Sequence, residues 1–105
     1  MGNNEIISLL KKAIPEIVPE GKAFLYGSRA RGDFRPDSDI DILILLPDTY
    51  EGKEFVLRQS EISAELYLLS LNNDIDISPV ITVEKIFKQR ETPFTLNIKR
   101  EGIRL

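Results

Sequence analysis

The 105-residue sequence contains no cysteine and no histidine. Without cysteine the chain can form no disulfide, no zinc–thiolate site and no thiol nucleophile. Without histidine it also lacks the most frequent general base of enzymes and the commonest ligand of transition metals. Any acid–base chemistry must therefore use carboxylates, lysine or tyrosine.

Long apolar runs and an excess of positive charge are absent as well. No apolar stretch approaches the roughly 20 residues that a membrane-spanning helix needs, and the first residues do not resemble a signal peptide. We therefore expect a cytoplasmic protein with no membrane association. The net charge is −3, which gives no general attraction to nucleic acid.

The amounts of apolar and charged residues are ordinary for a folded protein. Apolar residues make up 42% of the chain and charged residues 30%. At this length we expect one domain over residues 1–105, with a single core and no room for a second substrate-binding domain. We find no internal repeat or low-complexity segment.

Two aspartates stand at the start of the longest apolar run. A short apolar stretch ends at Tyr26, the chain turns, and the longer run begins at Ile40, between Asp39 and Asp41. Residues two apart in a strand share a face, so the two carboxylates should project together. At about 5 Å they would repel by about 3 kcal/mol near a protein surface. A magnesium ion between them would reverse the sign of that interaction.

The turn before these aspartates suits an anion. Gly27 can adopt backbone conformations closed to other residues, and Ser28–Arg31 is predicted to form a helical turn with free N–H groups. Arg29, Arg31 and Arg35 lie in the same loop, and guanidinium groups bind phosphate oxygens through paired hydrogen bonds. Asp-x-Asp alone is also typical of a solvated strand edge. Together with the turn, it favours a site for a magnesium-bound nucleoside triphosphate.

The rest of the sequence alternates between helical and strand patterns. Asn3 or Asn4 should cap the first helix and Pro15 should bound its end, Thr82 and Thr92 should cap two later helices, and Gly102 should end the last. We predict an α/β (α+β) fold in which helices pack against a small mixed sheet. The predicted elements are helix 4–14, strand 22–26, helical turn 28–31, strand 39–46, helix 54–71, strand 74–81, helix 83–89, helix 94–101 and an edge segment 103–105.

A second pair of aspartates lies on the predicted strand 74–81. Asp74 and Asp76 share one face, while Ile75 and Ile77 point to the other. The pattern from these residues alone is also that of a strand with an exposed polar face.

The loop and its aspartates resemble a known family. Gly27-Ser28, ten residues, then Asp39-Ile40-Asp41 looks like the signature of the DNA polymerase β-like nucleotidyltransferases. The fuller string GSRARGDFRPDSDIDILI is similar to the minimal nucleotidyltransferases, or MNT domains, of bacteria and archaea. The resemblance covers nearly the whole chain and implies the polymerase β-like nucleotidyltransferase core.

The resemblance also implies a set of site residues. Asp39 and Asp41 would bind two magnesium ions, and a third carboxylate from the neighbouring strand would share one of them. Asp76, flanked by isoleucines, matches that carboxylate better than Asp74, although the choice between them stays open. Gly27 and Ser28 would hold the β- and γ-phosphates, and Arg29 or Arg31 would add positive charge. Asp76 would accept the proton of the attacking hydroxyl.

MNT domains typically pair with a separate HEPN-domain protein, an RNase toxin. The resemblance therefore implies an antitoxin that transfers AMP from ATP to a tyrosine of that partner. Two alternatives remain. The chain could mask a toxin surface without catalysis, or it could modify a small molecule, as antibiotic nucleotidyltransferases do.

Overall fold

A four-stranded mixed β-sheet forms the centre of the computed structural model, which describes residues 1–105. The strand order is β3-β2-β1-β4; β2 pairs in parallel with β3, and the other neighbours are antiparallel. This architecture confirms the predicted mixed sheet with packed helices. The elements are α1 (Asn3–Ile17), β1 (Lys22–Tyr26), α2 (Ser28–Arg31), β2 (Ile40–Leu46), α3 (Gly52–Asn73), β3 (Ile77–Val83), α4 (Glu84–Gln89), α5 (Pro93–Glu101) and β4 (Ile103–Arg104).

Strand β2 is buried on both faces because helices cover each side of the sheet. Its even-numbered residues, from Ile40 to Leu46, pack with buried residues of α1 and α3, among them Leu10 and Ile62. On the opposite face, Leu43 and Leu45 pack against Phe87 of α4 and Ile98 of α5. This double coverage is what an uninterrupted apolar strand at the centre of a sheet requires.

The first helix is longer than predicted. It runs from Asn3 to Ile17 and includes Pro15, which was expected to bound its end. Proline costs one backbone hydrogen bond, but Ile14 and Val18 on either side of it are buried, and the Val18 N–H still donates to the Ile14 carbonyl at 2.9 Å. Burial of these two side chains therefore stabilises the last turn of α1. The predicted asparagine cap is also wrong, since Gly2 occupies that position without a side-chain bond.

The boundary between α3 and β3 also differs from the prediction. Helix α3 continues to Asn73, and Asp74 follows it in the left-handed conformation, with φ 52°. Asp74 therefore ends a helix and cannot begin a strand, so β3 starts three residues later, at Ile77. At its far end β3 includes Thr82, and Val83 takes the capping position before α4 that was predicted for Thr82.

Several local predictions are confirmed. Strand β1 and the turn α2 have the predicted bounds. The Thr92 hydroxyl accepts a hydrogen bond from the Thr95 N–H at 3.2 Å, Pro93 opens α5, and Gly102 follows its last residue. None of the helices has both the length and the apolar character needed to cross a bilayer.

Candidate active site

Gly27 joins β1 to α2 and lies directly against Asp41. Its φ is 75° and its ψ is −157°, a backbone conformation that residues other than glycine rarely adopt. A Cβ atom at this position would lie 2.5 Å from Oδ2 of Asp41. Glycine is thus needed twice here, for its backbone conformation and for the space that the carboxylate occupies.

The turn after Gly27 leaves backbone donors without acceptors. The N–H groups of Ala30 and Arg31 both donate to the Gly27 carbonyl at 3.1 Å. Those of Ser28 and Arg29, the first two residues of the turn, have no acceptor within it. Such consecutive free N–H groups, beside a serine hydroxyl, can bind an anion.

Asp39 and Asp41 form a pair of carboxylates beside this turn. Asp41 is half-buried on β2, opposite Tyr26 of β1, while Asp39 is exposed just before the strand. Burial, followed by the negative charge of Asp39, raises the pKa of Asp41; Arg31 acts in the opposite direction. A cation placed between the two carboxylates would relieve both unfavourable effects.

The two remaining candidate aspartates have different surroundings. The carbonyl of Asp76 accepts a hydrogen bond from the Ile40 N–H at 2.8 Å, so its backbone lies beside that of Asp39 and the start of β2. Asp74 instead caps α3. Backbone placement thus favours Asp76 over Asp74 as a third site residue.

Side chains do not converge on a three-carboxylate site. No group of three acidic residues is close enough to hold one metal ion. Magnesium, however, is often bound by one or two carboxylates together with phosphate oxygens of its substrate. The pair formed by Asp39 and Asp41 fits that mode of binding, in which the ion arrives with the triphosphate.

Arg29 holds the loop that leads to Asp39. Its side chain is buried, and Nη2 donates to the carbonyls of Ser38 at 2.9 Å and Pro36 at 3.3 Å. Its guanidinium also donates to the Asn3 side chain at 3.4 Å and lies over the Phe34 ring. These contacts use the guanidinium for positioning. They do not support the phosphate contact predicted for this side chain.

Arg31, two residues further on, stays near the surface. It contacts Asp33 at 3.3 Å and Glu101 at 3.6 Å, and its side chain is 45% exposed. With Gly27 and four other residues it lines a cavity of about 210 Å³. The others are Tyr26, Phe94, Asn97 and Glu101. The last three belong to α5, which the sequence predicts as a helix without indicating that it reaches this loop.

The chain is similar to a known protein family and to a curated protein. The sequence profile of a family described as nucleotidyltransferase domain matches residues 7–103. A curated protein of Methanocaldococcus jannaschii, provisionally named a protein adenylyltransferase, is 35% identical over 103 residues, which cover 94% of each chain.

Solved structures show the same fold. A structure from Sulfolobus solfataricus, provisionally named a nucleotidyltransferase, has a TM-score of 0.61 at 18% identity and covers 97% of this chain and 80% of its own. A toxin–antitoxin structure with AMP-PNP has a TM-score of 0.57 at 24% identity, covering 99% of this chain and 72% of that one. A tyrosine-to-alanine variant of the toxin–antitoxin pair MntA-HpeT has a TM-score of 0.54 at 25% identity, covering 100% and 72%.

Proposed function

Because this chain belongs to the nucleotidyltransferase domain family, we propose that it transfers AMP from magnesium-bound ATP to a hydroxyl group of a partner protein. The observation that supports this most strongly is the contact between Gly27 and Asp41. It brings free backbone donors, which suit phosphate, next to paired carboxylates, which suit magnesium. A metal-bound triphosphate needs both groups within one small site.

Different residues of the proposed site bind the phosphates and the magnesium ion. Ser28, through its N–H and hydroxyl, and the neighbouring loop N–H groups hold the β- and γ-phosphates, while Arg31 adds positive charge. Asp39 and Asp41 hold magnesium; a second ion would need Asp76 as well. When bound, magnesium neutralises the triphosphate and the departing pyrophosphate and lowers the pKa of the attacking hydroxyl.

The transfer itself is a single substitution at phosphorus. The acceptor oxygen forms a bond to the α-phosphorus, and the bond from that phosphorus to the bridging oxygen breaks, so that pyrophosphate leaves. The proton of the hydroxyl passes to a carboxylate, for which Asp76 is the proposed acceptor. No histidine exists to take that role.

The proposed acceptor is a tyrosine of a HEPN-domain toxin, which would make this chain an antitoxin. Two findings support a protein acceptor: the provisional name of the relative from M. jannaschii, and the likeness at 25% identity to a toxin–antitoxin structure. ATP as the donor follows from the same adenylyl activity.

Label transfer tests this proposal. The chain is incubated with magnesium, a cell extract of its native host and ATP labelled at either the α- or the γ-phosphate. Relative to the same extract without the chain, we expect additional α-label but no additional γ-label on a protein, with tandem mass spectrometry locating the α-label on tyrosine. The variant combining Asp39→Asn and Asp41→Asn should transfer none, and Glu16→Gln, an exposed carboxylate of α1 outside the proposed site, should transfer normally.

Three other results would contradict the proposal. Label found only on small molecules would point to an antibiotic-type enzyme. Transfer of γ-label would mean phosphoryl transfer. Full transfer by the double variant would remove the carboxylates from the mechanism.

A further inference from the structure

Helix α3 carries apolar residues on two opposite sides. Ile62 and Leu66 are buried against the sheet. At about 100° per residue, a second set of apolar side chains lies on the far side of the helix. This outer face of α3 consists of Val56, Leu57, Tyr67, Leu68 and Leu71, each between 54% and 64% exposed.

Such a face is costly to leave in water. Leu57, Ala64, Leu68 and Leu71 are all exposed and recur at intervals of seven, four and three residues, which places them along one stripe of the helix. A contiguous exposed apolar patch of this kind is typical of a binding surface. We propose that the outer face of α3 docks an amphipathic helix of the acceptor protein, an inference that rests on the proposed transfer to a protein.

Charge indicates what kind of helix fits. Glu54, Glu61 and Glu65 form a row along one edge of the outer face, at rotations next to Leu57 and Leu68. Glu61 forms an ion pair with Arg58 at 3.2 Å, whereas Glu54 and Glu65 make no ion pair. The matching partner is a helix with an apolar stripe and a row of lysine or arginine along one edge.

A second copy of this chain fits less well. It would bring the same three glutamates, and an antiparallel pairing would set one acidic row beside the other. On α3 the exposed basic residue is Lys53, at the N-terminal end, and Arg58 is held by Glu20 at 2.8 Å. A homodimer through this face would therefore gain no row of charge pairs.

The outer face also leads towards the site. Leu71, near its C-terminal end, lines a cavity of about 520 Å³ together with Asp37, Asp74 and Asp76. A partner helix that follows α3 to Leu71 would thus end beside Asp76. Docking there would bring a tyrosine that follows the helix next to Asp76, the proposed proton acceptor; Gly27, Ser28, Asp39 and Asp41 lie outside this cavity.

Two synthetic helices serve as probes of this surface. Both have leucines along one face; one has lysines along one edge and the other has glutamates there. Measured by fluorescence anisotropy with the full chain, the lysine helix should bind roughly tenfold more tightly, since each exposed charge pair contributes a modest amount. Combining Glu61→Lys with Glu65→Lys should reverse that preference.

Apolar variants locate the surface. Leu68→Gln combined with Leu71→Gln should abolish binding of the lysine helix. The control is Leu96→Gln on α5, a leucine of similar exposure, at 51%, outside the proposed surface, which should bind normally. All of these residues are exposed, so the fold should persist in every variant.

The docking measurement uses no nucleotide, so it can fail or succeed separately from catalysis. The variant combining Asp39→Asn and Asp41→Asn should bind the lysine helix as well as the unchanged chain does, even if no transfer is ever detected. Equal affinity for both helices, or unchanged binding after the Leu68 and Leu71 substitutions, would overturn the proposal. So would self-association at micromolar concentration that these same substitutions abolish, because the outer face would then belong to a second copy.

Discussion

Replacing Gly27 by alanine should damage the proposed site more than it damages the fold. The combination of φ 75° and ψ −157° is essentially confined to glycine, so an alanine there costs about 1–3 kcal/mol of stability. For a domain of this size that lowers the melting temperature by roughly 4–24 °C. The protein should still fold, and the larger effect should fall on Asp41.

The magnitude of that second effect follows from one contact. The new Cβ would lie 2.5 Å from Oδ2 of Asp41, whereas ordinary contact begins at 3.4 Å. The carboxylate must therefore retreat by roughly 1 Å, a displacement that can cost about 100-fold in rate at a catalytic centre. Label transfer and magnesium-dependent nucleotide binding should both fall.

Gly32→Ala provides the matched control. Gly32 also has a positive φ, of 93°, but a Cβ there meets no atom within 4 Å. Thermal unfolding should show a loss of stability in both variants, larger for Gly27→Ala because Gly32 has the left-handed conformation, which alanine adopts at lower cost. Only Gly27→Ala should lose nucleotide binding and transfer. Equal binding and transfer by the two variants would show that the contact between position 27 and Asp41 does not affect the site.

Three further predictions concern charge. A bidentate pair with Arg58 lowers the pKa of Glu20 to about 2, below its unfolded value of 4.5. Because solvent screens this pair, Glu20→Gln should cost about 1–2 kcal/mol at pH 7 by urea unfolding, and the difference should shrink as pH falls from 4.5 towards 2. A constant difference would contradict the pairing. Asp39→Asn should lower the pKa of Asp41, followed by the NMR shift of its carboxyl carbon, because a like charge is removed. Arg29→Lys should lower the free energy of unfolding by about 2 kcal/mol and speed amide hydrogen exchange around Ser38, because an ammonium group cannot span the carbonyls of Pro36 and Ser38. Unchanged exchange would count against the positioning role of Arg29.

Local signals in the sequence were sufficient to predict the elements that carry the candidate site. The glycine-serine turn, the strand before it and the alternation that sets Asp39 and Asp41 on one face depend on residues close together in the chain. The short turn α2 was predicted with correct bounds for the same reason. The family signature then added an expected chemistry to these carboxylates.

Other features depended on contacts that the sequence does not display. Arg29 and Arg31 look equivalent in sequence, yet the loop carbonyls of Pro36 and Ser38 bind one guanidinium and leave the other near the surface. Asp74 fits a strand pattern in the sequence, but in the structure it caps the end of α3. Pro15 stays helical because its neighbours are buried, which is a property of the tertiary fold.

Calorimetric titration with AMP-PNP tests most directly whether Asp39, Asp41 and the Gly27 turn form one site for a metal-bound triphosphate. With magnesium present, the unchanged chain should bind one nucleotide, and removing magnesium with a chelator should abolish that binding. The variant combining Asp39→Asn and Asp41→Asn should not bind in either condition. Magnesium-dependent binding of equal affinity by that variant would contradict the account.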